Sequence, residues 1–288
     1  MENRYHLIEN EIERLVIEAG IKLPDDVMTA LQDASADPGL SKPGALVLSR
    51  ILENLEIART SRLPMCQDTG MAVVFIDLGA ESEIKPSELE ESVRRGVKTA
   101  YENGFFRKSI VEDPVYGRKN TGDNLPVLFH LRSVPGEQVK LSIMLKGFGS
   151  ENCSSLVMLN PTDGEEGILK AISDSMQRAG GKPCPPVIIG VGIGGTAEQA
   201  MILSKRALLR DVGSPHPQKE YAQLEKALLK RVNELDIGPG GLGGAWTALG
   251  VLIEREETHI AGMPVGVSIS CWADRKAVLT LDARGRIL

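Results

Sequence analysis

Four cysteines, Cys66, Cys153, Cys184 and Cys271, stand singly along a chain of 288 residues. A thiolate is both a nucleophile and a soft metal ligand, so a cysteine set among polar residues and glycines is a place where chemistry can occur. No C-x-x-C pair exists, which argues against a structural zinc finger or a thioredoxin-like site. Cysteines this widely spaced form one site only where the fold brings them together. In LPMCQDTG (63–70), a Cys66 thiolate could bind metal while Gln67 and Asp68 face a ligand. The same residues also read as an Asp-Thr-Gly turn beside a small buried thiol. KGFGSEN (146–152), just before Cys153, has the composition of a backbone nest open to an anion, or of a bulged turn after a strand. In GPGGLGG (238–244) five of seven residues are glycine, more than ordinary packing asks for. In THIAGMPVGVSISCWADR (258–275), His259 precedes an apolar strand that ends at Cys271.

A fifth pattern suggests different chemistry. In GKPCPPVIIGVGIGGTAEQA (181–200), Gly190, Gly192 and Gly195 satisfy G-x-G-x-x-G, the spacing of a dinucleotide-binding turn at a helix N-terminus. That fingerprint also asks for an acidic residue closing a second strand about 20 residues on. Here Asp211 follows a helical segment, SKRALLR, with no strand between. The nucleotide-binding oxidoreductase reading is therefore a remote alternative.

These stretches need elements to position them. Residues 1–60 read as helices broken around 36–44 (ADPGLSKPG), with Leu7, Ile8, Ile12, Leu15 and Val16 on one helical face. Strands are expected at 72–78, 127–131, 139–145, 187–191, 266–270 and 277–281. Helices are expected at 87–104, with Ser87 and Glu90 as a capping box, and at 164–179, 197–209 and 217–235. Thr196 stands where it can cap the third of these. The polar run 105–124 is long for a loop, and loops of that length are often functional. Helices and strands alternate without a βαβα rhythm, so the expected class is mixed α+β. The chain is expected to form one domain over 1–288, with a helical part over about 1–60.

Bulk composition excludes some classes of function. Hydrophobic residues make up 42% and charged residues 25%, enough apolar material for a core and against wholesale disorder. A net charge of −6 lacks the basic balance of a nucleic-acid binder. No apolar run reaches the ~18 residues of a membrane span, and the N-terminus has no secretory pattern. The expected location is the cytoplasm, where a disulfide framework is not expected.

Taken together and in order, PMCQDTG, FRKSIVEDPVYGRKNTGDNLP, KGFGSENCSSL, PCPPVIIGVGIGGT, GPGGLGGAWTALGV and THIAGMPVGVSISCWADR resemble the α-subunit pattern of class I (iron–sulfur) fumarate hydratases and the related L(+)-tartrate dehydratases. The resemblance covers nearly the whole chain. It implies a [4Fe–4S] cluster held by Cys66, Cys184 and Cys271, with one iron left without a protein ligand, and it leaves Cys153 a structural role. It implies that Gln67, Asp68, Arg107 and Gly149 line the substrate pocket and that His259 lies near the substrate's carboxylate, with Arg118 a weaker candidate. Asp68 and His259 are the expected catalytic groups. The expected reaction is reversible hydration of fumarate to L-malate, as in the tricarboxylic acid cycle, or dehydration of L(+)-tartrate. Fused members of the family carry a further C-terminal domain, so a separate β subunit that completes the site in a heteromer is expected here.

Overall fold

A computed structural model describes residues 2–288. In chain order the elements are α1 (Glu2–Ile21), α2 (Asp25–Ala36), α3 (Lys42–Ser61), β1 (Met71–Gly79), α4 (Pro86–Asn103), β2 (Leu128–Val134), β3 (Val139–Lys146), the single turn α5 (Phe148–Glu151) and β4 (Ser155–Leu159). They continue with α6 (Gly164–Ala179), β5 (Val187–Gly195), α7 (Ala197–Ala207), α8 (Lys219–Asn233), β6 (Ala248–Thr258), β7 (Met263–Ser270) and β8 (Lys276–Leu281). The class is mixed α+β, with two four-stranded mixed sheets. Contacts divide the chain into two compact units.

The first unit takes the chain up to Leu23, Leu55–Gly147 and Arg275–Leu288. Its sheet has the order β2-β1-β3-β8, with β1 parallel to β2 and antiparallel to β3. Alternation along β1 and β3 turns Val74, Ile76, Leu141, Ile143 and Leu145 to one face, where α1 (Ile8, Ile12, Val16) and α4 (Leu89, Val93, Val97) cover them. Burying each such side chain contributes about 1.5–3 kcal/mol. Leu15 is only partly buried and Leu7 is exposed, so the helical stripe of α1 is narrower than the spacing predicts. Gly96 lets the two helices meet, because a Cβ there would lie 2.6 Å from the Glu9 carbonyl oxygen.

The second unit comprises Pro24–Asn54 and Phe148–Asp274. Its sheet has the order β4-β7-β5-β6, with β5 parallel to β6 and antiparallel to β7. One face, with Val187, Ile189 and Val191 of β5, packs on α6 (Ile168, Ile172, Met176) and α8 (Leu224, Leu228, Val232). On the alternate positions Gly190, Gly192 and Gly266 admit α7. A Cβ on Gly190 would stand 2.0 Å from the Ser204 carbonyl oxygen, and one on Gly192 2.0 Å from that of Ala200.

Most expected elements are present within a residue or two, but β2, β5 and β7 run three or four residues beyond the expected bounds, and two further strands and two caps differ. β4 and β6 carry no strand expectation, and both run in irregular hydrophobic patterns. The N-terminus of α4 has Pro86 in its first turn, with Lys85 as N-cap and no side-chain cap, so Ser87 and Glu90 form no capping box. Proline suits that first turn because its missing N–H would have no intrahelical partner there. Thr196 occupies the N-cap position of α7, but its side chain makes no capping bond to the helix N–H groups. Instead the Glu198 carboxylate accepts from its own backbone N–H and from the Thr196 hydroxyl, which holds it below the usual carboxylate range. Among the described residues no helix is long and apolar enough to cross a membrane.

Candidate active site

In the first unit the chain turns out of α3 through PMCQDTG into β1. Met65 is buried, and its N–H donates to the Gly20 carbonyl at 2.9 Å. Thr69 and Gly70 are buried at the other end, so Cys66, Gln67 and Asp68 form an accessible crest between two anchors. Cys66 is therefore not a core thiol. The turn reading also holds, since Asp68 Oδ1 accepts from Gly70 N at 3.0 Å. The second anchor is a hub. Tyr101 Oη, on α4, donates to the carbonyls of Thr69 (3.0 Å) and Gly70 (2.8 Å), and burial pushes its phenol above the ordinary tyrosine range. Asn124 Nδ2 donates to Gly70 O at 3.2 Å, while Asn124 Oδ1 accepts from Ser109 N at 2.7 Å. Thr69 Oγ1 donates to the Arg107 carbonyl at 2.8 Å.

This hub holds the long segment 105–124 against the crest and brings the main chain of Arg107 to it, with the Arg107 side chain exposed. Apart from an isolated bridge between Val111 and Asn120, the segment has no strand or helix, in keeping with the expected loop. Arg118 lies farther along it, exposed, with its guanidinium donating to the Pro114 carbonyl at 2.5 Å.

Two buried cations stand at the same end of this sheet, at the close of β3 and the start of β8. Lys146, 2% exposed, donates from Nζ to the Gly147 carbonyl at 3.1 Å. Arg275, also 2% exposed, donates from Nη1 to the Asp68 carbonyl at 2.6 Å. Sequence reasoning passed over both, together with Tyr101 and Asn124. The available signal was the presence of Lys146, Asn124 and Arg275 at the ends of the polar motifs.

In the second unit Cys184 and Cys271 lie at one end of the sheet's two central strands. β5 and β7 are antiparallel with Ile188 opposite Ser270, so the residues before β5 and after β7 emerge together. Cys184 is exposed and has a left-handed backbone, φ +56°. Such a conformation costs a non-glycine residue of order 1–3 kcal/mol and persists where surroundings impose it. The surroundings are the glycine-rich segment. Gly240 N donates to Pro185 O at 2.8 Å, and a Cβ on Gly241 would fall 2.6 Å from the Gly181 Cα. The other N–H groups of these glycines are also engaged internally. Gly238 N bonds Thr247 Oγ1, Gly241 N bonds Gly238 O, Gly243 N bonds Ile237 O and Gly244 N bonds Asp236 Oδ1. The segment is thus a support for the Cys184 loop, and its donors are not turned toward a ligand.

KGFGSEN continues into α5, a single helical turn, in place of a nest. Glu151 pairs with Lys205 of α7, and Cys153 Sγ lies 3.6 Å from the Gly149 carbonyl oxygen. Gly149 is exposed, and a Cβ there would meet only the Lys182 carbonyl at 3.8 Å. It lines a cavity of about 440 Å³ with Cys153, Ser155, Arg178 and Lys182.

His259 is not brought to the cysteine end of this sheet. It follows β6, whose Thr258 pairs with Gly195 at the far end of β5. At about 3.3 Å per residue, that nine-residue strand puts roughly 25 Å between the two ends. The His259 imidazole is exposed, with Nδ1 accepting from Ala261 N at 3.2 Å.

Comparison with known proteins decides the family. The family described as "Fumarate hydratase (Fumerase)" matches residues 9–280. The chain belongs to this fumarate hydratase family. It is 42% identical over 285 residues to the "Putative L(+)-tartrate dehydratase subunit alpha" of Methanocaldococcus jannaschii, covering 96% of this chain and 99% of that protein. It is 32% identical over 264 residues to the L(+)-tartrate dehydratase subunit alpha of Escherichia coli (strain K12), covering 91% of this chain and 86% of that one.

Membership in the fumarate hydratase family leaves G-x-G-x-x-G to be explained as packing. Gly190 and Gly192 lie inside β5, under α7, and not in a turn that a pyrophosphate could approach. The donor set suits an iron–sulfur group. Cys66, Cys184 and Cys271 are thiols, the usual cluster ligands, and each stands at least partly open on a loop instead of in a core. Among the described residues neither unit by itself gathers three histidine, cysteine, aspartate or glutamate side chains that could hold a metal.

Proposed function

We propose that this chain is the α subunit of an iron–sulfur hydro-lyase that dehydrates a small hydroxy dicarboxylate together with a separate β subunit. The observation that carries the reading is the 42% identity, end to end, with a relative named as an L(+)-tartrate dehydratase subunit alpha. The names of the relatives favour L(+)-tartrate as substrate. The family's own description favours the second reading, interconversion of fumarate and L-malate.

Cys66, Cys184 and Cys271 would hold a [4Fe–4S] cluster, while Cys153 packs beside Gly149 and is not a ligand. Such a cluster, when bound, supplies Lewis-acid assistance to the departure of hydroxide. The remaining work falls to side chains. Asp68 is an accessible carboxylate on a main chain fixed from both sides, suited to receiving the carbon-bound proton or to orienting a base from the β subunit. Arg107 offers the planar fork that grips a carboxylate through paired hydrogen bonds, and Gln67 offers an amide. Gly149 leaves the backbone open for close approach of substrate. His259 enters this reading only as a group that another chain's site receives, because its own strand carries it away from Cys184 and Cys271.

The test is turnover by the anaerobically prepared α–β complex. Dehydration of L(+)-tartrate is followed as oxo-acid and that of L-malate as fumarate absorbance. The proposal expects kcat/KM for tartrate to exceed that for malate by about 100-fold or more, a difference of about 2.7 kcal/mol. The reverse preference would make the protein a fumarase, and turnover of neither acid would remove the hydro-lyase reading.

A further inference from the structure

We infer that Arg275 is a positioning residue for Asp68, and that glycine at 147 keeps a Cβ from crowding those two side chains. The inference rests on the reading of Asp68 as the proton-handling carboxylate.

Arg275 sits at the start of β8, and its own carbonyl accepts from Leu145 N at 3.0 Å, so its backbone is locked to β3. From there the guanidinium reaches the PMCQDTG crest. Nη1 donates to the Asp68 carbonyl at 2.6 Å. The carboxylate lies close by, since an atom added at Gly147 as Cβ would meet Asp68 Oδ2 at 3.3 Å and Arg275 Nη2 at 3.4 Å. Gly147 is the residue after Lys146, on the β3 strand end that faces this pair. A buried guanidinium is costly unless its charge is met, and a planar fork anchored on a neighbouring strand gives Asp68 one orientation. The other anchors of the crest, Tyr101 and Asn124, hold the Thr69 and Gly70 carbonyls and leave the Asp68 carbonyl to Arg275. Arg275 therefore acts through Asp68 and need not touch substrate.

The experiment uses the α–β complex with its cluster reconstituted, assayed on L(+)-tartrate and L-malate. Iron per chain and thermal midpoint are measured alongside kcat and KM for Arg275→Met, Arg275→Lys, Gly147→Ala, Asp68→Asn and the double variant Asp68→Asn with Arg275→Met. We expect Arg275→Met to lower kcat about 100-fold with KM within about threefold, and Arg275→Lys to recover part of that loss, because an ammonium keeps the charge without the fork. Gly147→Ala keeps every charge and crowds both side chains with a methyl, so its kcat should fall about 10-fold with full iron content. The double variant should be no slower than Asp68→Asn alone, because a residue acting through Asp68 loses its effect once Asp68 is gone. Full kcat in Gly147→Ala and Arg275→Lys, or losses in the double variant that multiply, would overturn the inference. Wild-type rates in Asp68→Asn would instead overturn the reading of Asp68 itself.

Discussion

At the residue scale, the candidate site depends on a few buried polar contacts that hold an accessible crest. The single Tyr101 hydroxyl hydrogen is shared between two main-chain carbonyls, those of Thr69 and Gly70. Tyr101→Phe should therefore cost about 1–3 kcal/mol, the penalty for taking the donor from the Thr69 carbonyl while Asn124 still serves Gly70, and should appear as a lower thermal midpoint. An unchanged midpoint would show that the hub is not a support. Gly70→Ala should cost at least as much. Its φ of +84° is a left-handed conformation, and the added Cβ would lie 2.8 Å from the Leu145 carbonyl carbon. Cys66, Gln67 and Asp68 stood out in the sequence because thiol, amide and carboxylate are adjacent. Tyr101, Asn124 and Arg275 did not, because each acts on residues dozens of positions away and carries nothing locally unusual.

At the element scale, glycine is what the sequence leaves ambiguous. G-x-G-x-x-G and GPGGLGG both look like ligand-facing backbone, and in the fold both are packing devices. Gly190 and Gly192 make room for α7, and the second segment braces the loop of Cys184. Spacing alone cannot separate these cases, because a close approach by a helix and one by a phosphate ask for the same missing Cβ. Gly192→Ala should force α7 away from β5 and destabilise the second unit by about 1–3 kcal/mol or more. Chemical denaturation would detect this as a lower midpoint, and a neutral result would contradict the packing role. Helices and strands with clean periodicity were legible, including 164–179 and 139–145. β6 was not, because TALGVLIEREET begins as an unbroken apolar run under α8 and ends in exposed charge, so no single period describes it.

At the scale of the whole molecule, the three cysteines assigned to the cluster come from segments far apart in the chain, Cys66 in the first unit and Cys184 and Cys271 in the second. That distribution explains why no local metal motif could be read, while the joint order of six motifs pointed to the family. If the β subunit completes the site, the purified α chain should carry iron and show less than about 1% of the turnover of the complex. Full activity from the α chain alone, in the anaerobic assay, would remove the need for a partner.

Cys66, Cys184 and Cys271, but not Cys153, are the proposed ligands of the cluster. The most direct measurement is iron and acid-labile sulfide per chain after anaerobic reconstitution, for wild type and for Cys66→Ala, Cys153→Ala, Cys184→Ala and Cys271→Ala. We expect about four iron and four sulfide per chain for wild type and Cys153→Ala, the content of one [4Fe–4S] cluster, and a loss of that content in the other three variants. A cluster that survives loss of Cys66, Cys184 or Cys271, or one that disappears with Cys153 alone, would contradict that assignment.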